Sequence, residues 1–271
     1  MQITLSSSRY LASFLYFYFL STLVLAGCSP EKIHADDHLN EQIIIIGEFH
    51  GAEQIGDMLV NIAETQADLG QIAIGLEAPA CALSTVFSSS KIISLPGDTG
   101  AACDMYGIES GRISTALKAG VDKLLEDNQS AKIFAFENYK GRSLIPDFPL
   151  HANAWESRAA DRILQVRDKG YRVISIAGNL HVRKTTYKFS GPETTPFGAL
   201  LSDQALIIGV VPLNSGQVYA CSPECGIQEI PGSSAASDVG LDCNVGAPYY
   251  DCIYAVGQYT PAAPIAKKTS Q

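Results

Sequence analysis

The chain has 271 residues with a net charge of −9 at pH 7, and 46% of its residues are hydrophobic. An acidic chain of this kind lacks the basic surface that binds a nucleic-acid phosphate backbone, so we expect no nucleic-acid partner. The length suits one α/β domain with a large core, and the sequence contains no internal repeat or second linker that would divide it.

The amino-terminal residues have the pattern of a bacterial lipoprotein signal. Arg9 gives a positive start, residues 10–25 are nearly all apolar, and small residues lead up to Cys28. We therefore expect a lipid on Cys28 after cleavage, with an ordinary signal peptide or an uncleaved anchor as the alternatives. Ser29, rather than an aspartate, follows the cysteine, which is typical of outer-membrane sorting. The expected location is the outer membrane of a Gram-negative bacterium, facing the periplasm.

Predicted strands and helices alternate through the middle of the chain. Runs of β-branched and other apolar residues predict buried strands at residues 43–46, 72–77, 131–137, 171–178 and 205–213. Apolar residues at helical spacing predict helices over residues 53–69, 112–127, 152–169 and 199–202. This alternation predicts an α/β fold with a mostly parallel central sheet and helices on both of its faces.

The segments outside this pattern differ in composition. Residues 81–111 are rich in Ser, Gly and Pro, so we expect an irregular insertion there. Beyond residue 213 the chain is rich in cysteine, with a hairpin arm expected at 216–221 and a last strand at 253–256. The expected organisation is a signal peptide at 1–27, a tether at 28–41, the α/β core at 42–213, a disulfide-rich β appendage at 214–260 and a disordered tail at 261–271.

Six cysteines remain when the lipid-modified one is set aside, and an even number in an exported chain predicts disulfides. Their clustering favours a bridge between Cys81 and Cys103. The other four would pair within the C-terminal region, and they are Cys221, Cys225, Cys243 and Cys252. A zinc site on these four thiolates is the weaker alternative, because an oxidising compartment favours disulfides. In addition, Cys243 and Cys252 are too far apart in sequence for a zinc knuckle.

Polar residues follow four of the predicted strands at the point where each strand ends. Because right-handed crossovers place the carboxyl ends of parallel strands along one edge, these residues should gather there. Each one alone is explained more simply as a charge at a helix terminus or as a solvated loop residue. Their recurrence indicates a shared site made of Glu48, His50, Glu77, Glu137, Asn179 and His181.

Two imidazoles with carboxylates are suited to a divalent metal such as zinc, manganese or iron, with Glu48, His50 and His181 as ligands. A metal with an open position would activate a water, and a remaining glutamate would act as general base. The alternative needs no metal: His50 is the base, a glutamate orients it and water is the nucleophile. The sequence contains no Gly-x-Ser-x-Gly elbow, phosphate loop or dinucleotide fingerprint.

Four short motifs stand at or near these positions: Gly47-Glu48-Phe49-His50-Gly51, Gly75-Leu76-Glu77, Glu156-Ser157-Arg158 and Gly178-Asn179-Leu180-His181. Over about residues 43–213 the chain resembles the haem-binding-uptake/Tiki superfamily, which includes ChaN-like lipoproteins, erythromycin-esterase-like enzymes and Tiki/TraB-like proteins. In hydrolytic members the matching positions form the active site. The resemblance therefore implies catalytic roles for Glu48, His50, Glu77 and His181.

The leading hypothesis is a lipid-anchored hydrolase of an ester or amide bond in a small-molecule or peptide substrate. Supporting binding roles would fall to Glu137, Arg158 and Asn179. A further hypothesis is a degenerate member of the superfamily whose pocket has only a structural or partner-binding role.

The second hypothesis is a non-catalytic lipoprotein for iron uptake, because ChaN-like members of the superfamily bind haem. Such members carry further histidines soon after the first motif, and residues 54–68 of this chain contain none. A haem or another metal-bearing ligand would then be bound through Tyr106, Tyr139 or His151.

Overall fold

The computed structural model describes residues 39–98, 111–137, 148–188, 191–221, 225–244 and 248–265, with the side chains of 148–150 and 221 outside this description. All of them belong to one compact unit that begins at His34. The predicted signal peptide, the lipid-bearing cysteine and most of the tether lie outside the described residues. Within those ranges, no helix is both long enough and apolar enough to span a membrane.

Strands and helices alternate as the apolar pattern predicts. The strands are β1 (Ile43–Glu48), β2 (Ile72–Leu76), β3 (Lys132–Ala135), β4 (Arg172–Gly178), β5 (Leu206–Asn214), β6 (Gly216–Cys221), β7 (Cys225–Ile230), β8 (Gly240–Asp242) and β9 (Cys252–Gln258). The helices are α1 (Gln54–Ala67), α2 (Ala80–Val86), α3 (Thr115–Asp127), α4 (Phe148–Arg167), α5 (Asn179–Val182) and α6 (Phe197–Leu201).

Seven of the described strands form one sheet in the order β3-β2-β4-β1-β5-β9-β8. All neighbouring pairs are parallel except β8 and β9, which are antiparallel. The central strand β1 therefore has β4 on one side and β5 on the other. This arrangement confirms the predicted α/β fold with a mostly parallel sheet, and it places the end of β1 beside the end of β4.

Side chains of β1 alternate between two apolar cores, as the pleat of a strand requires. Ile44 and Ile46 pack in the core that contains α1 and α3, whereas Ile43 and Ile45 pack in the core on the other face, with α4. All four isoleucines are fully buried. Each contributes on the order of 1.5–3 kcal/mol by leaving water, so the run of β-branched residues fixes β1 at the centre of the sheet.

Helix α3 begins three residues later than the apolar pattern predicts. The hydroxyl of Ser114 accepts the backbone N–H of Leu117 at 3.2 Å and so caps the helix. Arg112, which the apolar pattern places inside this helix, therefore lies in the loop before it. The segment predicted as irregular, 81–111, also differs, because α2 lies within its first residues and only 81–98 and Gly111 are described.

The C-terminal region contributes to both the central sheet and a separate hairpin. Strands β8 and β9 extend the sheet beyond β5, and β6 and β7 form a two-stranded antiparallel hairpin. Cys243 and Cys252 form a disulfide, in agreement with the predicted disulfide-rich appendage. Cys81 and Cys225 each take part in a disulfide as well. The predicted partner of Cys81 is Cys103, which lies outside the described residues, so this pairing stays a prediction.

The predicted disordered tail is corrected for its first five residues, 261–265. Ala52 forms a β-bridge with Pro261, and Ser114 forms one with Pro264. These bridges hold the segment against the loops that follow β1 and precede α3. The side chain of Ala262 is only 3% exposed, so its burial also holds the segment in place. Residues 266–271 lie outside the described part of the chain.

Candidate active site

The site is built at the carboxyl ends of β1, β2 and β4. Parallel pairing places Glu48 opposite Gly178, and Leu76, just before Glu77, opposite Ile176. The turn after β1 then carries His50 over the same edge, and Gly51 takes the left-handed conformation (φ 76°) that lets the chain turn back. Strand pairing therefore brings these three motifs together.

Glu48 and His50 form the first carboxylate–histidine pair. Nδ1 of His50 donates to Oε1 of Glu48 at 2.5 Å, and the glutamate side chain is only 2% exposed. An ionised carboxylate can only accept, so the Nδ1 atom carries the proton and Nε2 is left as the basic nitrogen of the neutral ring. Glu48 thus sets both the tautomer and the orientation of His50.

A second pair of the same kind comes from α4 and α5. Nδ1 of His181 donates to Oε1 of Glu156 at 2.6 Å, and Tyr187 donates its hydroxyl to the same oxygen at 3.2 Å. The other oxygen of Glu156 accepts the backbone N–H of Phe197 at 2.9 Å. Trp155 packs against the ring of His181, with centroids 4.5 Å apart. These contacts hold His181 in one orientation, with its Nε2 directed towards Glu77.

Glu77 lies between the two histidines. Its Oε2 is 3.6 Å from Nε2 of His50 and accepts the backbone N–H of Gly178 at 2.8 Å. Its Oε1 is 4.0 Å from Nε2 of His181 and 3.1 Å from Nε of Arg112. One carboxylate therefore faces both Nε2 atoms and a guanidinium, which makes it the electrostatic centre of the site.

Arg112 and Glu137 complete the charged group. Nη1 of Arg112 lies 3.9 Å from Oε1 of Glu137, and both side chains are less than 10% exposed. The guanidinium thus spans Glu77, after β2, and Glu137, after β3. A buried pair of this kind is stable only when the charges are well matched, and removing one partner leaves the others uncompensated.

Two glycines make room for side chains of the site, His50 and Asn179. A Cβ at Gly178 would lie 3.0 Å from Nε2 of His50, and a Cβ at Gly47 would lie 2.8 Å from Oδ1 of Asn179. Glycine at these strand ends therefore allows the close approach of β1 and β4 side chains that the site needs.

Burial lowers the pKa of His50, but Glu48, by charge and by its hydrogen bond, and then Glu77 act in the opposite direction. Arg112 lowers the pKa slightly, and the net result is a pKa above the ordinary value for histidine. A raised pKa makes the neutral ring a stronger base, which suits it to accept a proton from water.

The structure brings most of the sequence-predicted residues to one place. Glu48, His50, Glu77 and His181 form a continuous series, and Arg112 links Glu77 to Glu137. Asn179 lies beside this group, where its side-chain oxygen is 3.4 Å from the hydroxyl of Tyr250. Arg158 does not join the group, because it is exposed on α4 while the buried face of that helix carries Trp155 and Ala159. The roles assigned to all of these residues stay predictions.

Arg112, Glu156 and Tyr187 are parts of the site that sequence reasoning did not find. Glu156 had a usable signal, because the helical period of buried residues in α4 places it on the same face as Ala152 and Ala159. Arg112 had a weaker signal: Ser114, two residues later, is a residue type that caps helices, which would place Arg112 in the loop before the helix. Nothing in the local sequence points to Tyr187.

The ligand set of the divalent metal considered from sequence, which is Glu48, His50 and His181, stays a prediction. Oε1 of Glu48 and Nδ1 of His50 are bonded to each other, and a guanidinium stands 3.1 Å from the remaining central carboxylate. Among the described residues, no group of three or more His, Cys, Asp and Glu side chains is arranged to hold a metal ion. Of the suggested haem ligands, His151 is exposed on α4, and Tyr106 and Tyr139 lie outside the described ranges.

Fold and site together define an α/β protein with two carboxylate–histidine pairs facing one carboxylate at the strand ends. A succinoglycan biosynthesis protein is similar over 85% of this chain and 91% of its own, with 11% identity and a TM-score of 0.60. A protein from Bacillus cereus is similar over 87% of this chain and 94% of its own, with 10% identity and a TM-score of 0.58. An erythromycin esterase mutant in its open conformation matches 84% of this chain and 93% of its own, with 12% identity and a TM-score of 0.47.

At such identities, the first two likenesses show the fold alone. They agree with the α/β fold that the resemblance to the haem-binding-uptake/Tiki superfamily implies, and membership of that superfamily stays a prediction from the motifs. No protein-family model and no curated protein matches the sequence. The chemistry of this chain therefore depends on the residues of its own site.

Proposed function

We propose that the protein is a hydrolase of ester or amide bonds that works by acid–base catalysis without a metal. The observation that carries the proposal is the pair of carboxylate-held histidines whose Nε2 atoms lie 3.6 Å and 4.0 Å from the same carboxylate, Glu77. Two oriented imidazoles at one point supply the base and the acid that hydrolysis requires. The substrate is a small molecule or a peptide that reaches the edge of the sheet.

In this reaction His50 is the general base. Its Nε2 takes a proton from a water, whose oxygen attacks the carbonyl carbon of the substrate, while Glu48 stabilises the imidazolium that forms. Arg112, whose Nε lies 3.1 Å from Glu77, stabilises the oxyanion that develops. His181, held by Glu156, enters the step with a proton on both ring nitrogens and gives the Nε2 proton to the departing alcohol or amine, as the bond between this atom and the carbonyl carbon breaks. The proton that His50 took from the water then returns through solvent to Nε2 of His181, which restores both imidazoles.

The lipid on Cys28 belongs to the same proposal. It would hold the hydrolase at the outer membrane, facing the periplasm, and the disulfides of the C-terminal region suit that oxidising compartment. Haem binding has less support, because both Nε2 atoms, which would be the iron ligands, face the carboxylate of Glu77. No Soret change is expected when haemin is added at micromolar concentration.

Substitution of the histidines tests this function. We expect His50→Ala and His181→Ala each to lower kcat/KM by about 10²- to 10⁴-fold, because each removes a proton-transfer group. The measurement is the hydrolysis of a panel of p-nitrophenyl esters and anilides of increasing acyl length, before and after exhaustive dialysis against a chelator. Turnover by the unsubstituted protein should survive the dialysis.

The matched control is His151→Ala, since this histidine is exposed on α4 and away from the site. Its kcat/KM should equal that of the unsubstituted protein. Turnover that persists unchanged in both His50→Ala and His181→Ala, or no turnover of any member of the panel above the variants' background, would rule out the proposed hydrolysis.

A further inference from the structure

Residues 259–265, which we call the strap, lie across the loop that carries His50. The backbone N–H of Ala262 donates to the carbonyl of Gly51 at 2.7 Å. In the reverse direction, the N–H of Glu53 donates to the carbonyl of Thr260 at 2.8 Å. The strap is thus a short antiparallel partner for the residues that directly follow the catalytic histidine.

Side chains reinforce this half of the strap. Nε2 of Gln54 donates to the hydroxyl of Thr260 at 2.5 Å, and Oε1 of Gln54 accepts the N–H of Thr260 at 3.1 Å. Gln54 is the first residue of α1, so these bonds tie the strap to a rigid helix as well as to the loop. Two residues 206 positions apart in sequence are joined in this way.

The other half of the strap holds the loop that carries Arg112. The backbone N–H of Thr115 donates to the carbonyl of Ala263 at 2.9 Å, and its hydroxyl donates to the same carbonyl at 3.2 Å. A β-bridge between Ser114 and Pro264 continues the contact. Arg112 lies two residues before this bridge.

Each loop brings a nitrogen-bearing side chain to one carboxylate. His50 approaches Oε2 of Glu77 and Arg112 approaches Oε1, at 3.6 Å and 3.1 Å. The two groups are 62 positions apart in sequence, and the strap is bonded to both loops at once. We propose that the strap is a positioning element, in which Thr260, Ala262 and Ala263 fix the base and the oxyanion-stabilising cation relative to each other; this rests on the proposed function.

The first test replaces one donor in the full chain. Ala262→Pro removes the N–H that is bonded to Gly51, and the control Ala236→Pro, outside the strap, removes an N–H for which the described residues offer no hydrogen-bond partner. We expect Ala262→Pro to lower kcat by about tenfold or more, with KM changed less than about threefold, because misplaced catalytic groups slow the chemical step more than they weaken binding. Equal kcat values in the two variants would overturn the proposal.

The second test needs no substrate. Hydrogen exchange is followed at Glu53 and at Thr115, whose amides donate to opposite halves of the strap. In Ala262→Pro we expect both amides to exchange about tenfold faster or more, because release of one half loosens the other. Faster exchange at Glu53 alone, with Thr115 unchanged, would show two independent contacts and overturn the proposal.

Gln54→Ala provides a milder variant if Ala262→Pro does not fold. It removes both side-chain bonds to Thr260 and leaves every backbone bond of the strap intact. The same coupled acceleration at Glu53 and Thr115, and a fall in kcat that exceeds the change in KM, are expected. If the unsubstituted protein hydrolyses nothing, the proposed function fails, and the exchange experiment alone decides whether the strap couples the loops.

Discussion

At the scale of single residues, the site concentrates buried charge around Glu77. Four carboxylates with almost no exposure, those of Glu48, Glu77, Glu137 and Glu156, stand near two imidazoles and one guanidinium. Buried carboxylates are costly unless each has a partner, so the pattern of pairs is as important as the residues. In this chain every carboxylate of the group faces a histidine or the arginine.

Glu48→Gln should move the pH dependence of turnover. His50 must be neutral to accept a proton, so kcat/KM falls as the pH drops below the raised pKa of His50. The amide keeps the shape but removes the charge that raises this pKa, so we expect the acidic limb of the profile to shift to lower pH. The measurement is kcat/KM on the best ester of the panel between pH 5 and pH 9.

The control for this substitution is Glu126→Gln, which makes the same chemical change at an exposed position on α3. Its profile should coincide with that of the unsubstituted protein. An unshifted acidic limb of the pH profile in Glu48→Gln would contradict the role of His50 as base.

The same pair makes the stability of the fold depend on pH. Since the pKa of His50 is higher in the folded than in the unfolded state, the pair with Glu48 contributes its full stability below pH 6.5. This contribution is lost as the pH rises through the folded-state pKa.

At the scale of elements, the contact between α1 and α3 depends on two glycines. A Cβ at Gly120 would lie 2.5 Å from the carbonyl oxygen of Gly56, and a Cβ at Gly56 would lie 2.3 Å from that of Ala116. The two backbones therefore touch directly. This close crossing sets where α1 and α3 lie on the sheet, and with them the loops of His50 and Arg112 that precede each helix.

Gly120→Ala should destabilise the protein although alanine is the better helix former. The intrinsic gain of about 1 kcal/mol is opposed by a backbone clash, and overpacking of this kind costs about 1–3 kcal/mol beyond it. We expect a net loss in the free energy of unfolding, measured by urea denaturation. Ala119→Ser, one residue earlier and exposed, should change stability by less than about 0.5 kcal/mol. A more stable Gly120→Ala variant would show that the helices can separate at no cost.

At the scale of the whole molecule, the chain enters the described unit at the end opposite to the site. The guanidinium of Arg172, at the start of β4, donates to the carbonyls of Asn40 and Glu41. These residues therefore lie at the amino ends of the parallel strands, whereas His50 and Glu77 follow the carboxyl ends.

Lipid attachment can be tested directly on the full chain. We expect metabolic incorporation of an alkyne-tagged palmitate in a Gram-negative host, detected as a labelled band of the protein. Cys28→Ala should abolish this label, because Cys28 is the expected attachment point, and Cys81→Ala is the control that removes a different cysteine. Equal labelling of Cys28→Ala and the unsubstituted chain would exclude the anchor at this residue.

The sequence by itself determined the parallel sheet and the gathering of Glu48, His50, Glu77 and His181 at its edge. Those inferences need only local information, since β-branched runs specify strands and a right-handed crossover specifies which ends meet. Only the tertiary structure decided the partners of these residues. Arg112 enters the site through a loop fixed at Ser114 by the strap, and Thr115 and Ala263, which form that contact, are 148 positions apart. Contacts over such distances depend on packing, and no local pattern in one sequence encodes them.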